Sequence, residues 1–189
     1  MGFQQAAYNA GVKAGSSKKK FIIITVAAVI LLSVVLIMIF SHSSKEFSYN
    51  ELRIKLSSSY KEPDTKLSLK MLTSSLTKAR PDYTLVNSDK TVYIYRDDKA
   101  TNQYNSLSDY AAATKSAYAG TENAQIQQRG SYYYFIADGE MIDSDEKAKS
   151  VVAVFESAKA FWTVDIGGYA KQFSEKSYLE NLDTVAFKG

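Results

Sequence analysis

An uninterrupted apolar run at residues 21–40 divides this chain into two parts. The run reads FIIITVAAVILLSVVLIMIF, and Thr25 and Ser33 are its only polar side chains. At about 1.5 Å per residue, a helix over this run is roughly 30 Å long, which matches the hydrocarbon thickness of a bilayer. A buried helix of a soluble domain is usually shorter and keeps one polar face. The run therefore predicts a transmembrane helix, with the lipid bilayer as the partner of residues 21–40.

The lysines around this run predict its orientation. Four lysines precede it, and only Lys45 follows closely. Because basic residues that flank a membrane helix stay in the cytoplasm, residues 1–20 are expected to form a cytoplasmic tail and residues 41–189 to lie outside the cell membrane. The topology-setting residues at the boundary are Lys18, Lys19 and Lys20.

A cleaved signal peptide is the alternative interpretation of the N-terminal segment. The apolar run is longer than the 7–15 residues usual for a signal peptide, which favours an uncleaved anchor. Residues 41–44, SHSS, nevertheless offer a weak cleavage site of small residues. The predicted organisation is a tail over 1–20, a membrane helix over 21–40, a juxtamembrane linker over 41–47 and a domain over 48–189.

The net charge of +3 does not indicate an acidic partner. Four of the 23 basic residues and none of the 20 acidic residues lie in residues 1–40, so the remainder of the chain carries a net charge of −1. A nearly neutral domain has no basic surface excess to attract nucleic acid. We therefore expect no nucleic-acid partner.

The scarcity of Cys and His excludes several common chemistries. The chain has no Cys, and its one histidine, His42, lies beside the apolar run. These counts exclude a thiolate nucleophile, a disulfide framework and a Ser-His-Asp triad within the domain. The sequence accordingly predicts no catalytic residue, no cofactor-binding residue, no metal site and no cofactor.

The densest group of acids lies at residues 138–146, DGEMIDSDE. Closely spaced carboxylates can hold Ca²⁺, but the EF-hand spacing is not met. Lys147 and Lys149 follow immediately and would partly neutralise the acids. A solvated loop between strands is the favoured interpretation, and weak Ca²⁺ binding stays open.

Alternating and β-branched segments predict a set of strands. Residues 50–56 alternate, with Leu52, Ile54 and Leu56 on one face, and residues 91–96 alternate in the same way. Two hairpins follow, one pairing residues 126–129 with 132–136 and one pairing 151–155 with 161–166. The pair Gly167-Gly168 is expected to end the last of these strands.

Two helices are predicted between and after these strands. Ser106 to Asp109 offer caps for a helix over about 107–119, which Gly120 would stop. Ser174 can cap a second helix that continues to about Thr184, followed by an extended segment at 185–187. Residues 65–80 fit either a helix or a strand. Short turns between strands imply antiparallel pairing, so the expected fold class is α+β, with an antiparallel sheet and flanking helices.

The element order and several local strings resemble the PsbP-like fold, in particular the small membrane-anchored or secreted PsbP-like domains of Gram-positive bacteria. The resemblance covers most of residues 48–188, but the proline usual near Ser57 is absent. It implies a PsbP-like sandwich and an accessory or binding role without catalysis, and it supplies no catalytic residues. The strings are YNELRIKL at 49–56, LSDYA at 107–111, YYYF at 132–135, AFWTVDI at 160–166 and VAF at 185–187.

Aromatic residues supply the candidate partner or ligand surface. Exposed Tyr and Trp side chains can stack on glycan rings or anchor a protein partner. The alternative is that they pack in the core or at its edges. The candidate residues are Tyr132, Tyr133, Tyr134 and Trp162.

The functional expectation is a single-pass, extracytoplasmic binding or accessory module without catalytic activity. Its expected partner is another protein or component of the membrane or envelope. One alternative is a carboxylate-dependent enzyme or a glycan-binding module that acts at the cell wall, with a cleft lined by two acids. Another is a sensor in which residues 1–20 transmit binding to the cytoplasm.

Overall fold

The computed structural model describes residues 43–63, 80–141 and 145–189. The predicted cytoplasmic tail, the apolar run, His42 and nearly all of the ambiguous segment 65–80 lie outside these ranges. Within the described residues, no helix combines the length and the hydropathy needed to cross a membrane.

The described residues form an α+β structure with two antiparallel sheets and two helices. The larger sheet has six strands in the order β3-β4-β8-β7-β6-β5. Its strands are β3 (Tyr83–Val86), β4 (Lys90–Asp98), β5 (Gln127–Arg129), β6 (Tyr132–Glu140), β7 (Lys147–Glu156) and β8 (Ala160–Tyr169).

The smaller sheet has three strands in the order β1-β2-β9. Its strands are β1 (Ser44–Tyr49), β2 (Leu52–Ser57) and β9 (Ala186–Phe187). The alternation predicted for β2 is confirmed, because Leu52, Ile54 and Leu56 are all buried while the residues between them are not. This apolar face packs into the same core as one face of the larger sheet.

The two helices lie on opposite faces of the larger sheet. Helix α1 (Leu107–Ala117) begins at Ser106, whose hydroxyl accepts a hydrogen bond from the Asp109 amide. Helix α2 (Glu175–Leu182) follows a single 3₁₀ turn and begins at Ser174, as its capping pattern predicts. The buried side of α2 joins the main core, and α1 packs on the other face of the sheet.

Strand alternation separates these two faces. Along β8, Trp162, Val164 and Ile166 face the main core, whereas Phe161 belongs to the small cluster beneath α1. The central strands are therefore covered on both sides, and β8 is buried over nearly its whole length. This double coverage decides where the aromatic side chains of the domain lie.

Two boundary predictions are corrected by the structure. The predicted linker 41–47 overlaps strand β1, which begins at Ser44. Only Phe47 is buried in this strand, so its sequence lacks the alternation that would have marked it. The pair Gly167-Gly168 does not end β8, which continues to Tyr169. A Cβ at Gly168 would lie 2.5 Å from the Asp89 carbonyl oxygen, so close backbone packing explains this glycine.

Candidate binding cleft

The residues predicted as an aromatic surface do not form an exposed patch. Trp162 is 0% exposed, Tyr132 and Tyr134 are buried in the main core, and Tyr133 is half-buried beside α1. The physical reason is that both faces of β6 and β8 are covered. The tyrosine hydroxyls instead reach surface acceptors at the core edge, Tyr132 donating to Asp183 at 2.9 Å.

A different group of aromatic residues forms a cleft of about 180 Å³ between helix α1 and strand β4. The small side chains of Ala113 and Ala117, one turn apart on α1, line this cleft and leave its space unfilled. Its other main lining residues are Tyr95, Asp97, Tyr104, Tyr110, Tyr118 and Thr163.

The Tyr110 hydroxyl is the centre of the hydrogen bonding in the cleft. It donates to Asp97 Oδ2 at 2.6 Å and lies 2.8 Å from Thr163 Oγ1. Because the carboxylate can only accept, the Tyr110 O–H donates a hydrogen bond to Asp97, and the Thr163 hydroxyl donates a hydrogen bond to the Tyr110 oxygen. Burial first, and the hydrogen bond to Asp97 second, raise the pKa of Tyr110, so its hydroxyl stays protonated at neutral pH.

Ring packing holds the tyrosines of the cleft in place. The Tyr110 ring stacks on Phe161, with centroids 5.0 Å apart and an interplanar angle of 17°. Tyr104 meets Tyr110 edge-on at 5.1 Å, and its ring remains exposed. Offset stacks and edge-on contacts are favourable geometries for aromatic pairs. The cleft walls are therefore preorganised, with Tyr104 at the rim.

A buried carboxyl lies next to the inner end of the cleft. Asp165 is 1% exposed, and neither of its oxygens makes a hydrogen bond of regular geometry with the described residues. Burial raises its pKa to about 7, against the smaller, opposite effect of the Ser150 and Tyr118 hydroxyls. Tyr118 lines the cleft and Asp165 does not, so the phenol separates the carboxyl from the open space.

Three of the acids in segment 138–146 are paired with lysines. Lys149 pairs with Asp138 at 3.2 Å, Lys147 pairs with Glu140, and Lys171 pairs with Glu146 at 2.6 Å. Across the described residues no group of three or more acids and histidines is arranged to hold a metal ion. Residues 142–144 lie outside the described ranges, so weak Ca²⁺ binding by this segment stays a prediction.

A second recess, of about 430 Å³, lies beside the loop at residues 120–127. Its lining is mostly exposed polar side chains such as Glu122, Asn123 and Gln125, and no aromatic ring contributes. Polar groups that are already solvated gain little from a ligand. The smaller tyrosine-lined cleft is therefore the better candidate site.

The sequence singled out none of the cleft tyrosines as site residues. Tyr110 lies on the packed face of α1 and Tyr118 caps the C-terminal end of this helix, and both are buried. Tyr95 and Thr163 lie on neighbouring strands, β4 and β8, directly opposite one another in the register. The one usable signal was Asp165, a single acid inside an otherwise uncharged strand.

No family model matches this chain, and no curated protein matches it. The functional argument therefore rests on the fold and on the geometry of the cleft.

Proposed function

We propose that this protein is a single-pass membrane protein whose extracytoplasmic, PsbP-like domain is a non-catalytic binding module. The module engages a component of the membrane or envelope through the tyrosine-lined cleft between α1 and β4. The observation that carries the proposal is the cleft itself, where preorganised rings and hydroxyls converge on an unfilled space. Concave sites with rigid apolar walls and a few placed polar groups are the usual form of ligand sites.

The anchoring part of the proposal rests on the sequence. The apolar run 21–40 has the length of a membrane helix, and the lysines before it favour a cytoplasmic N-terminus. A membrane anchor holds a binding domain at high local concentration near partners in the same membrane. This arrangement supports an accessory role at the outer face of the membrane.

The burial of the acids favours binding over carboxylate catalysis. Glycoside cleavage by two carboxylates needs both groups facing one substrate. In the cleft only Asp97 lines the open space, whereas Asp165 is fully enclosed behind the Tyr118 phenol. A substrate in the cleft would meet one carboxylate, which suits recognition better than acid-base chemistry.

Site-specific photo-crosslinking in living cells tests the proposal. A benzophenone amino acid replaces Tyr104 at the cleft rim or, as a matched control, Ile126, whose exposure is nearly the same (38% against 37%). We expect a defined adduct of the full-length chain from position 104 and none from position 126. The substitution Ala113→Phe, which fills the cleft, should abolish that adduct.

Two outcomes would contradict the proposal. Absence of any adduct at position 104 would remove the cleft as a contact site. An adduct that persists with Ala113→Phe would place the contact outside the cleft.

A further inference from the structure

We infer that the cleft between α1 and β4 recognises an organic ammonium group, a positively charged nitrogen with small alkyl substituents. This inference rests on the proposed function, because it names the ligand class of the same cleft. The tyrosine rings, the sign of the charge and the size of the space each support it.

The charge carried by the lining of the cleft is negative. Asp97 is the only ionisable acid or base in the lining apart from the tyrosines, and it is exposed to solvent. Neither lysine nor arginine lines the cleft. A cation entering this space meets a carboxylate without displacing an existing ion pair within the lining, so charge complementarity selects a positively charged group.

The four tyrosine rings provide the second attraction. The face of an aromatic ring attracts a cation, and sites that bind quaternary ammonium groups are commonly cages of such rings. Tyr95, Tyr104, Tyr110 and Tyr118 all line the same space. An ammonium with alkyl substituents fits such walls better than a metal ion, because its carbon atoms also gain apolar contact.

An ammonium group already contacts Phe161, a ring that packs against the tyrosines of the cleft. Lys99 Nζ lies 5.1 Å from the centroid of Phe161, which in turn stacks on Tyr110. The charge of this lysine is balanced by Glu156 Oε1 at 2.6 Å. Lys99 therefore does not cancel the charge of Asp97.

The cleft volume limits what can enter. At about 180 Å³ the space is below the roughly 300–1,000 Å³ of sites that enclose drug-sized ligands. It suits a headgroup rather than a chain of sugar rings. A small ammonium headgroup meets the limits of size, charge and wall chemistry together.

Equilibrium dialysis of the full-length chain in a nonionic detergent tests the inference. The probes are labelled choline, its neutral isostere 3,3-dimethylbutan-1-ol and a neutral disaccharide. We expect choline to bind about tenfold more tightly than the isostere, because the two differ only in the charge. The disaccharide should not compete.

Variants locate the binding to the cleft. Asp97→Asn and Tyr104→Leu should each weaken choline binding several-fold, and Asp97→Asn should weaken the binding of choline more than that of the uncharged isostere. Asp138→Asn, which removes an exposed acid outside the cleft, is the matched control. The Trp162 fluorescence spectrum of each variant verifies that it is folded, since Trp162 is the only tryptophan.

A soluble short-chain phosphatidylcholine identifies the source of the ammonium. Tighter binding of this lipid than of choline would assign the group to a lipid headgroup, and tighter binding of choline would assign it to a free solute. Either result supports the inference.

Equal binding of choline and the isostere would overturn the inference while leaving the cleft as a binding site. Preferential binding of the disaccharide would do the same. No binding of choline, or choline binding that Asp97→Asn and Tyr104→Leu leave intact, would also overturn it. The crosslinking result at position 104 separates these failures from a failure of the proposed function.

Discussion

The indole N–H of Trp162 donates a hydrogen bond of 3.2 Å to the hydroxyl of Ser157, in the turn that joins β7 to β8. The same hydroxyl oxygen accepts from the amide of Ala160 at 3.0 Å. One buried serine thus satisfies the polar atom of the largest core side chain and closes the turn between two central strands. This relationship explains how a tryptophan can be completely buried in the main core.

Replacing Ser157 by alanine should lower the free energy of unfolding by about 1–3 kcal/mol, because a buried indole N–H loses its acceptor. Urea unfolding followed by Trp162 fluorescence measures the change. Ser116→Ala, at an exposed position of α1, is the control and should change the free energy by less than about 0.5 kcal/mol. Equal stability of the two variants would contradict the assigned role of Ser157.

The buried carboxyl of Asp165 should make stability fall as the pH rises. Its pKa is about 7 in the folded chain against an ordinary value of 3.8, so between these values the unfolded chain releases a proton that the folded chain retains. The contribution of Asp165 to stability is therefore fully present below about pH 4. It is lost progressively up to about pH 7, at about 1.4 kcal/mol per pH unit and roughly 4 kcal/mol in total.

Asp165→Asn isolates this contribution, because exposed carboxylates with the opposite pH dependence remain unchanged. We expect the unfolding free energy of the variant relative to the wild type to rise by several kcal/mol between pH 4 and pH 8. Denaturant unfolding at both pH values measures it. Parallel pH profiles of the two proteins would show that Asp165 ionises freely in the folded chain.

Gly120 should tolerate no side chain. Its φ is +70°, and a Cβ there would lie 1.9 Å from the Asp138 carbonyl oxygen. Gly120→Ala must therefore displace backbone, and we expect a loss of more than about 2 kcal/mol.

Gly130→Ala is the matched control for that loss. Its φ is +56°, but nothing lies within 4 Å of the added Cβ. Gly130→Ala should therefore lose only about 1 kcal/mol, the cost of holding an alanine at a positive φ. Thermal or urea unfolding of both variants measures the difference, and equal losses would show that the close approach to Asp138 is unimportant.

The absence of cysteine allows a direct test of the proposed topology. A single cysteine introduced at Lys176, whose side chain is 89% exposed, should react with a membrane-impermeant maleimide in intact cells. A cysteine introduced at Ser16 should react only after the membrane is permeabilised. The reverse pattern would place the domain in the cytoplasm, and labelling of both in intact cells would argue against a membrane barrier between them.

Local patterns in the sequence were sufficient to predict most strands and helices. The alternation in β2, the capping serines of both helices and the two hairpins depend on neighbouring residues, so each is readable without knowing the fold. Strand β1 was missed because it buries only Phe47 and has no alternating pattern. The glycines of β8 were misread because a close approach between β8 and the turn at Asp89 is not visible in sequence.

The membrane anchor, the near-neutral domain and the lack of Cys and His chemistry are expectations that follow from the sequence alone, since they depend on composition and on one contiguous run. Which tyrosines are buried and which line a cleft was decided only by the tertiary structure. Tyr132 and Tyr134 became core residues because a second sheet and α2 cover their face of β6. The cleft joins residues of β4, α1 and β8, and only their packing brings Tyr95, Tyr110 and Thr163 together. Burial and convergence depend on contacts between segments distant in sequence, and local periodicity carries no information about those contacts.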